Sequence, residues 1–151
     1  MVKIHKNEAF PADLILLNSS EPKGICYIET KNLDGETNLK HKIAHKDLIP
    51  LCTDDNSASS LTGVVKCEPP NEHLYKFDGA FYSKDKSLTV SLDHQQMLLR
   101  GSSLRNTEFV WGIVMYTGHE SKIMKNSSKS RVKMSKIEVK TGVQILLIFF
   151  L

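Results

Sequence analysis

Hydrophobic positions come in short bursts along this chain. Asp13–Leu17 and Ile25–Ile28 are apolar runs of strand length, separated by Asn18-Ser19-Ser20-Glu21-Pro22-Lys23-Gly24, a turn by composition. Val64-Val65-Lys66-Cys67-Glu68 predicts a strand stopped by Pro69-Pro70, and Leu74–Phe77 predicts another. Ser87–Leu92 alternates polar and apolar residues, the period of a half-buried strand. Glu108–Tyr116 gathers Val, Trp, Ile, Val and Tyr, all strong β formers. Leu39–Asp47 mixes bases with apolar residues and reads equally as a short strand or a helical turn. Thr53–Ser60, rich in Ser and Asp, predicts a surface loop of low order. Many short strands with little helix among them predict an all-β barrel or sandwich. No internal repeat is present.

The pattern changes near the C-terminus. His119–Asn126 has helical composition. From Lys122 to Lys140 the bases Lys122, Lys125, Lys129, Arg131, Lys133, Lys136 and Lys140 face a lone acid, Glu138. Val143-Gln144-Ile145-Leu146-Leu147-Ile148-Phe149-Phe150-Leu151 follows at once. As a helix this segment would span about 13–14 Å, against a bilayer core of ~30 Å. By length alone it reads as a buried terminal helix. The adjoining bases favour the start of a membrane span, since Lys and Arg accumulate on its cytosolic side.

Composition narrows the class. The chain has 151 residues, 40% hydrophobic and 25% charged, the profile of one globular domain. A net charge of +3, with no basic stripe interleaved with aromatics, leaves nucleic acid a poor partner. Cys26, Cys52 and Cys67 are odd in number and show no C-x-x-C spacing, so they read as reduced cytosolic thiols. Lys3, His5, Lys6 and Glu8 leave no room for the apolar stretch of a signal peptide.

Candidate chemistry concentrates in Asp34-Gly35-Glu36-Thr37. Glycine permits positive φ and close approach, and a carboxylate next to it can orient a water against an electrophile. The competing reading is an ordinary Asp-Gly hairpin followed by a solvated glutamate. Other candidates are weaker. His41 and His45 would share a helix face, but no third metal ligand has matching spacing, and surface histidines are the simpler reading. Gly101-Ser102-Ser103 lacks the G-x-S-x-G pattern, and no P-loop is present. Trp111, inside an apolar strand, reads as core.

Four segments taken together carry a family resemblance. Phe10-Pro11-Ala12-Asp13-Leu14-Ile15-Leu16-Leu17 precedes the tetrapeptide. Leu98-Leu99-Arg100-Gly101-Ser102-Ser103-Leu104-Arg105-Asn106-Thr107 and Tyr116-Thr117-Gly118-His119-Glu120-Ser121-Lys122 follow it. From about Ile4 to Leu151, the chain resembles the actuator domain of P-type ATPases, most closely of the lipid-flipping P4 class. The resemblance implies a mainly β, distorted jelly-roll or β-barrel-like actuator domain over 1–118 with its N-terminal part missing. A basic helical linker would follow over 119–141, and a truncated transmembrane helix would begin at 142–151. It implies that Glu36 activates the water that hydrolyses an aspartyl phosphate, with Asp34, Gly35 and Thr37 supporting the loop. The phosphate would sit on the phosphorylation domain of the same pump.

No cofactor is expected within this chain. Mg2+ and ATP would belong to the full-length parent, as would a phospholipid substrate and an accessory β-subunit. The chain would then be a cytosolic domain of an integral membrane protein, inactive in isolation. Glu138-Val139-Lys140-Thr141-Gly142 is similar to the Asp-Lys-Thr-Gly phosphorylation motif of these pumps. Valine stands at the aspartate position, so this segment reads as linker. Two alternatives stay open: a non-catalytic fragment or partner-binding module with the same fold, and the actuator of a cation pump. Cation pumps usually carry Thr-Gly-Glu where this chain has Asp-Gly-Glu-Thr.

Overall fold

The computed structural model describes residues 1–128. Most of the expected linker, the Glu138–Gly142 segment and the apolar tail lie outside the described residues. The elements run β1 (Val2–His5), β2 (Asp13–Ser19), β3 (Ile25–Glu29), α1 (Lys31–Asp34), β4 (Lys40–Ile43) and α2 (Asp55–Ser60). They continue with β5 (Gly63–Cys67), β6 (Asp78–Ser83), β7 (Thr89–Asp93), β8 (Met97–Leu98), β9 (Ser103–Arg105) and β10 (Phe109–Tyr116). The strands form three antiparallel sheets, ordered β1-β10-β2-β8, β4-β3-β9 and β5-β6-β7.

The central strand explains the layering. All seven residues of β2 are buried, although the sheet is antiparallel and such sheets commonly wet one face. Successive side chains point to opposite faces. Ile15 and Leu17 join a core with Phe81, Val90 and Leu92 of the β5-β6-β7 sheet. Leu14 and Leu16 join a second core with Cys26 and Ile28 of β3 and Leu104 of β9. Neighbouring strands divide the same way, with Met97 and Trp111 on the first side and Leu98 and Val110 on the second. An uninterrupted apolar run is therefore what a strand between two cores requires. At Gly112 an added Cβ would lie 3.2 Å from Leu14 Cβ, a tight contact where β10 crosses β2 closely.

One buried carboxylate ties three of the distinctive segments together. Asp13, fully buried at the start of β2, accepts the Arg100 backbone N–H at 2.9 Å and the Lys122 backbone N–H at 2.7 Å. Burial raises its pKa above the ordinary 3.8, against the opposing pull of those two N–H groups. Lys122 opens a helix over 122–128, in keeping with the helical composition there.

Two expectations need correction. Leu74–Phe77 is not a strand. Asn71 bends the chain, its Nδ2 donating to Pro69 O and its Oδ1 accepting the His73 N–H, so pairing starts only at Asp78, opposite Asp93. Thr53–Ser60 is not a loop of low order, since it holds α2. Asp54 accepts the Ser57 N–H at 2.7 Å while Ser57 Oγ accepts the Asp54 N–H at 3.0 Å, a reciprocal cap. The Ser and Asp content that suggested disorder is the chemistry that starts this helix. Leu39–Asp47, left open between strand and helical turn, contains strand β4.

Candidate functional site

The tetrapeptide lies in the connection between β3 and β4, which pair antiparallel with Ile28 opposite Lys40. The Asp-Gly pair is thus part of a hairpin connection, but not its two-residue tip. Lys31–Asp34 form a single helical turn, and Gly35 ends it at φ 74°, its N–H returning to Lys31 O at 2.9 Å. That left-handed C-cap is where glycine is preferred. An added Cβ at Gly35 would meet nothing within 4 Å, so the demand is on backbone conformation and not on space.

Asp34 is the anchor. Its Oδ1 accepts the Thr30 hydroxyl and the Glu36 backbone N–H, each at 3.0 Å. Its Oδ2 accepts Lys40 Nζ and the Tyr75 hydroxyl, each at 2.9 Å. Partial desolvation works to raise its pKa, but the donors outweigh it and hold the carboxyl well below the usual range. The side chain is 17% exposed. Glu36 differs: its side chain is 56% exposed, and its Oε2 meets Lys40 Nζ at 3.0 Å. Lys40 therefore bridges two carboxylates. The hydrogen bonds it donates to Asp34 first, then to Glu36, raise its pKa, so it stays an ammonium at physiological pH. Tyr75 lies beneath it, the ring centroid 5.3 Å from Nζ.

The arrangement has a rigid base and an open tip. One carboxylate with four donors fixes the turn, while the other reaches solvent beside a single cation. An exposed ion pair of this kind contributes little to stability, about 0–1 kcal/mol, so Glu36 can exchange its partner at small cost. Thr37 is exposed, and the hydroxyl that supports Asp34 comes from Thr30 instead. Sequence reasoning missed Thr30, Lys40 and Tyr75. The spacing of Thr30 and Asp34, four apart as on one helical face, was a usable signal. Tyr75 gave none.

The remaining candidates occupy ordinary places. His41 sits exposed on β4 and His45 faces Asp47 at 3.7 Å, so the two share no helix face. Ser102 is buried, its hydroxyl donating to Leu99 O at 2.6 Å. Trp111 is buried as expected, edge-on to Phe109 and donating Nε1–H to Asp55 Oδ1 at 3.1 Å. Among the described residues, no group of three or more His, Cys, Asp or Glu could hold a metal ion. No helix there is long and apolar enough to cross a membrane.

No family model matches the chain. It is 48% identical over 151 residues to probable phospholipid-transporting ATPase 7 of Arabidopsis thaliana. It is 49% identical over 146 residues to a phospholipid-transporting ATPase of Schizosaccharomyces pombe. Identity to phospholipid-transporting ATPase 6 of Arabidopsis thaliana is 47% over 151 residues. These alignments cover 97–100% of the chain but 12% of each relative, so the chain spans about an eighth of their length. Along nearly its whole length the chain is similar to one segment, about an eighth, of proteins named phospholipid-transporting ATPases, as a fragment of such a protein would be.

Proposed function

We propose that this chain is the actuator segment of an ATP-driven phospholipid translocase, and that Glu36 promotes hydrolysis of the aspartyl phosphate formed on another domain of the same pump. In this reading residues 1–118 are the β-rich body, of distorted jelly-roll type and cytosolic. Residues 119–141 are a basic linker, and 142–151 begin a membrane span. The observation that carries the proposal is the exposed Glu36 carboxylate on a turn whose base is locked by Asp34.

Phosphoryl transfer depends mainly on positioning and charge control. The water oxygen forms a bond to phosphorus as the bond from phosphorus to the aspartyl oxygen breaks. Glu36 accepts the water proton, and the products are inorganic phosphate and a free aspartate. A carboxylate advancing on a phosphoanion is repelled unless positive charge is near. Lys40, 3.0 Å from Glu36, supplies part of that charge from within this chain. Gly35 lets the turn approach without a Cβ in the way, and Thr37 is exposed beside Glu36. In this reading Mg2+ and ATP are held by other parts of the full-length pump.

The test is phosphoenzyme decay in the full-length protein carrying this chain. Glu36→Gln should slow decay by roughly 100-fold or more, the scale of a lost general base, while phosphoenzyme still forms. Unchanged decay would favour a non-catalytic, partner-binding fragment with this fold. A cation pump is disfavoured by the Asp-Gly-Glu-Thr sequence, and the relatives named above are all phospholipid-transporting.

A further inference from the structure

The loop over 68–77 links two distant parts of the molecule. At one end Tyr75, 41 positions from Asp34, donates its hydroxyl to Asp34 Oδ2 at 2.9 Å although the residue is 51% exposed. An exposed tyrosine on a free loop would lose much of that bond to side-chain and backbone entropy. This loop is fastened. Glu68 O accepts the Tyr116 hydroxyl at 2.6 Å. The fully buried Lys122 ammonium reaches Asn71 Oδ1 at 2.7 Å and Glu68 Oε1 at 3.4 Å. Asn126 Nδ2 donates to Glu72 O at 3.1 Å. The loop therefore runs from the first turns of the helix over 122–128 to the carboxylate that fixes the Glu36 backbone N–H.

We infer that Tyr75 is a positioning residue for the Glu36 turn: its hydroxyl, carried on a loop pinned by Lys122 and Asn126, orients the Asp34 carboxylate and through it the Glu36 peptide. The inference rests on Glu36 acting in dephosphorylation. It adds that the aim of Glu36 is set partly from the point where the chain leaves its β-rich body. Tyr75→Phe isolates this role, because it keeps the ring against Lys40 and deletes only the hydroxyl.

In the full-length protein, phosphoenzyme formation and decay are measured for Glu36→Gln, Tyr75→Phe, Asp34→Asn and the Tyr75→Phe/Asp34→Asn pair, with melting temperatures alongside. The expected result is decay slowed roughly three- to tenfold by Tyr75→Phe, the scale of one hydrogen bond to a charged group at a partly exposed site. Formation and melting stay unchanged, and the effects of Tyr75→Phe and Asp34→Asn are less than additive in the pair. Wild-type decay in Tyr75→Phe, additive effects in the pair, or lost formation with lowered melting would overturn the inference while slowed decay in Glu36→Gln leaves the Glu36 reading standing. Unslowed decay in Glu36→Gln removes both.

Discussion

Asp34 and Glu36, two positions apart, are put to different uses by their surroundings. Asp34 is held by hydrogen bonds from Thr30, Lys40, Tyr75 and the Glu36 N–H, whereas Glu36 faces solvent and, among the described residues, pairs with Lys40. A folded-state pKa held below the ordinary 3.8 makes the Asp34 contribution to stability complete above that value. It is lost as pH falls through the depressed folded value. Asp34→Asn should therefore lower the urea midpoint at neutral pH, and the gap from wild type should close in strong acid. A gap that persists unchanged in strong acid would show that the carboxylate charge is irrelevant to the anchor. Gly35 makes a complementary demand. At φ 74° with open space around its Cα, Gly35→Ala should cost about 1 kcal/mol from backbone strain alone, and Gly35→Asn less. Chemical denaturation of the two variants checks the order.

Among the elements, β2 and the helix over 122–128 are coupled by Asp13. Its two oxygens satisfy the part-buried N–H of Arg100 and the buried N–H of Lys122, and Asn at this position can offer only one acceptor oxygen. Asp13→Asn should cost about 1–3 kcal/mol, the penalty of one unsatisfied buried N–H. Native-state hydrogen exchange should show the Lys122 amide losing protection more than the amides of β10. Equal loss at both would mean that the carboxylate supports the whole fold and not this junction. The helix itself was legible from composition, and α2 was not. Its Asp54–Ser57 capping pair resembles turn chemistry until the reciprocal bonds are seen.

For the molecule as a whole, two cores on either side of β2 divide the cysteines. Cys26 and Cys52 are fully buried, and burial pushes their thiols up to about 12 and about 11. Cys67 is exposed. At neutral pH an alkylating reagent should modify Cys67 quickly in the native chain, and the other two only after unfolding. Rapid reaction of all three would mean that the cores open readily. Local sequence determined much of this architecture. Apolar or β-prone runs specify β2, β3, β5 and β10, and polar–apolar alternation specifies β7, because backbone period and burial are written into neighbouring residues. The position of the Asp-Gly-Glu-Thr segment beyond β3 was equally readable. Only the tertiary structure decided what holds that segment. Tyr75 reaches Asp34 across a distance in sequence that no local period encodes, and Lys40 is aimed by the register of β4 on β3. It also decided that β2 is covered on both faces, since a continuous apolar run by itself fits a buried helix as well as a strand between two cores.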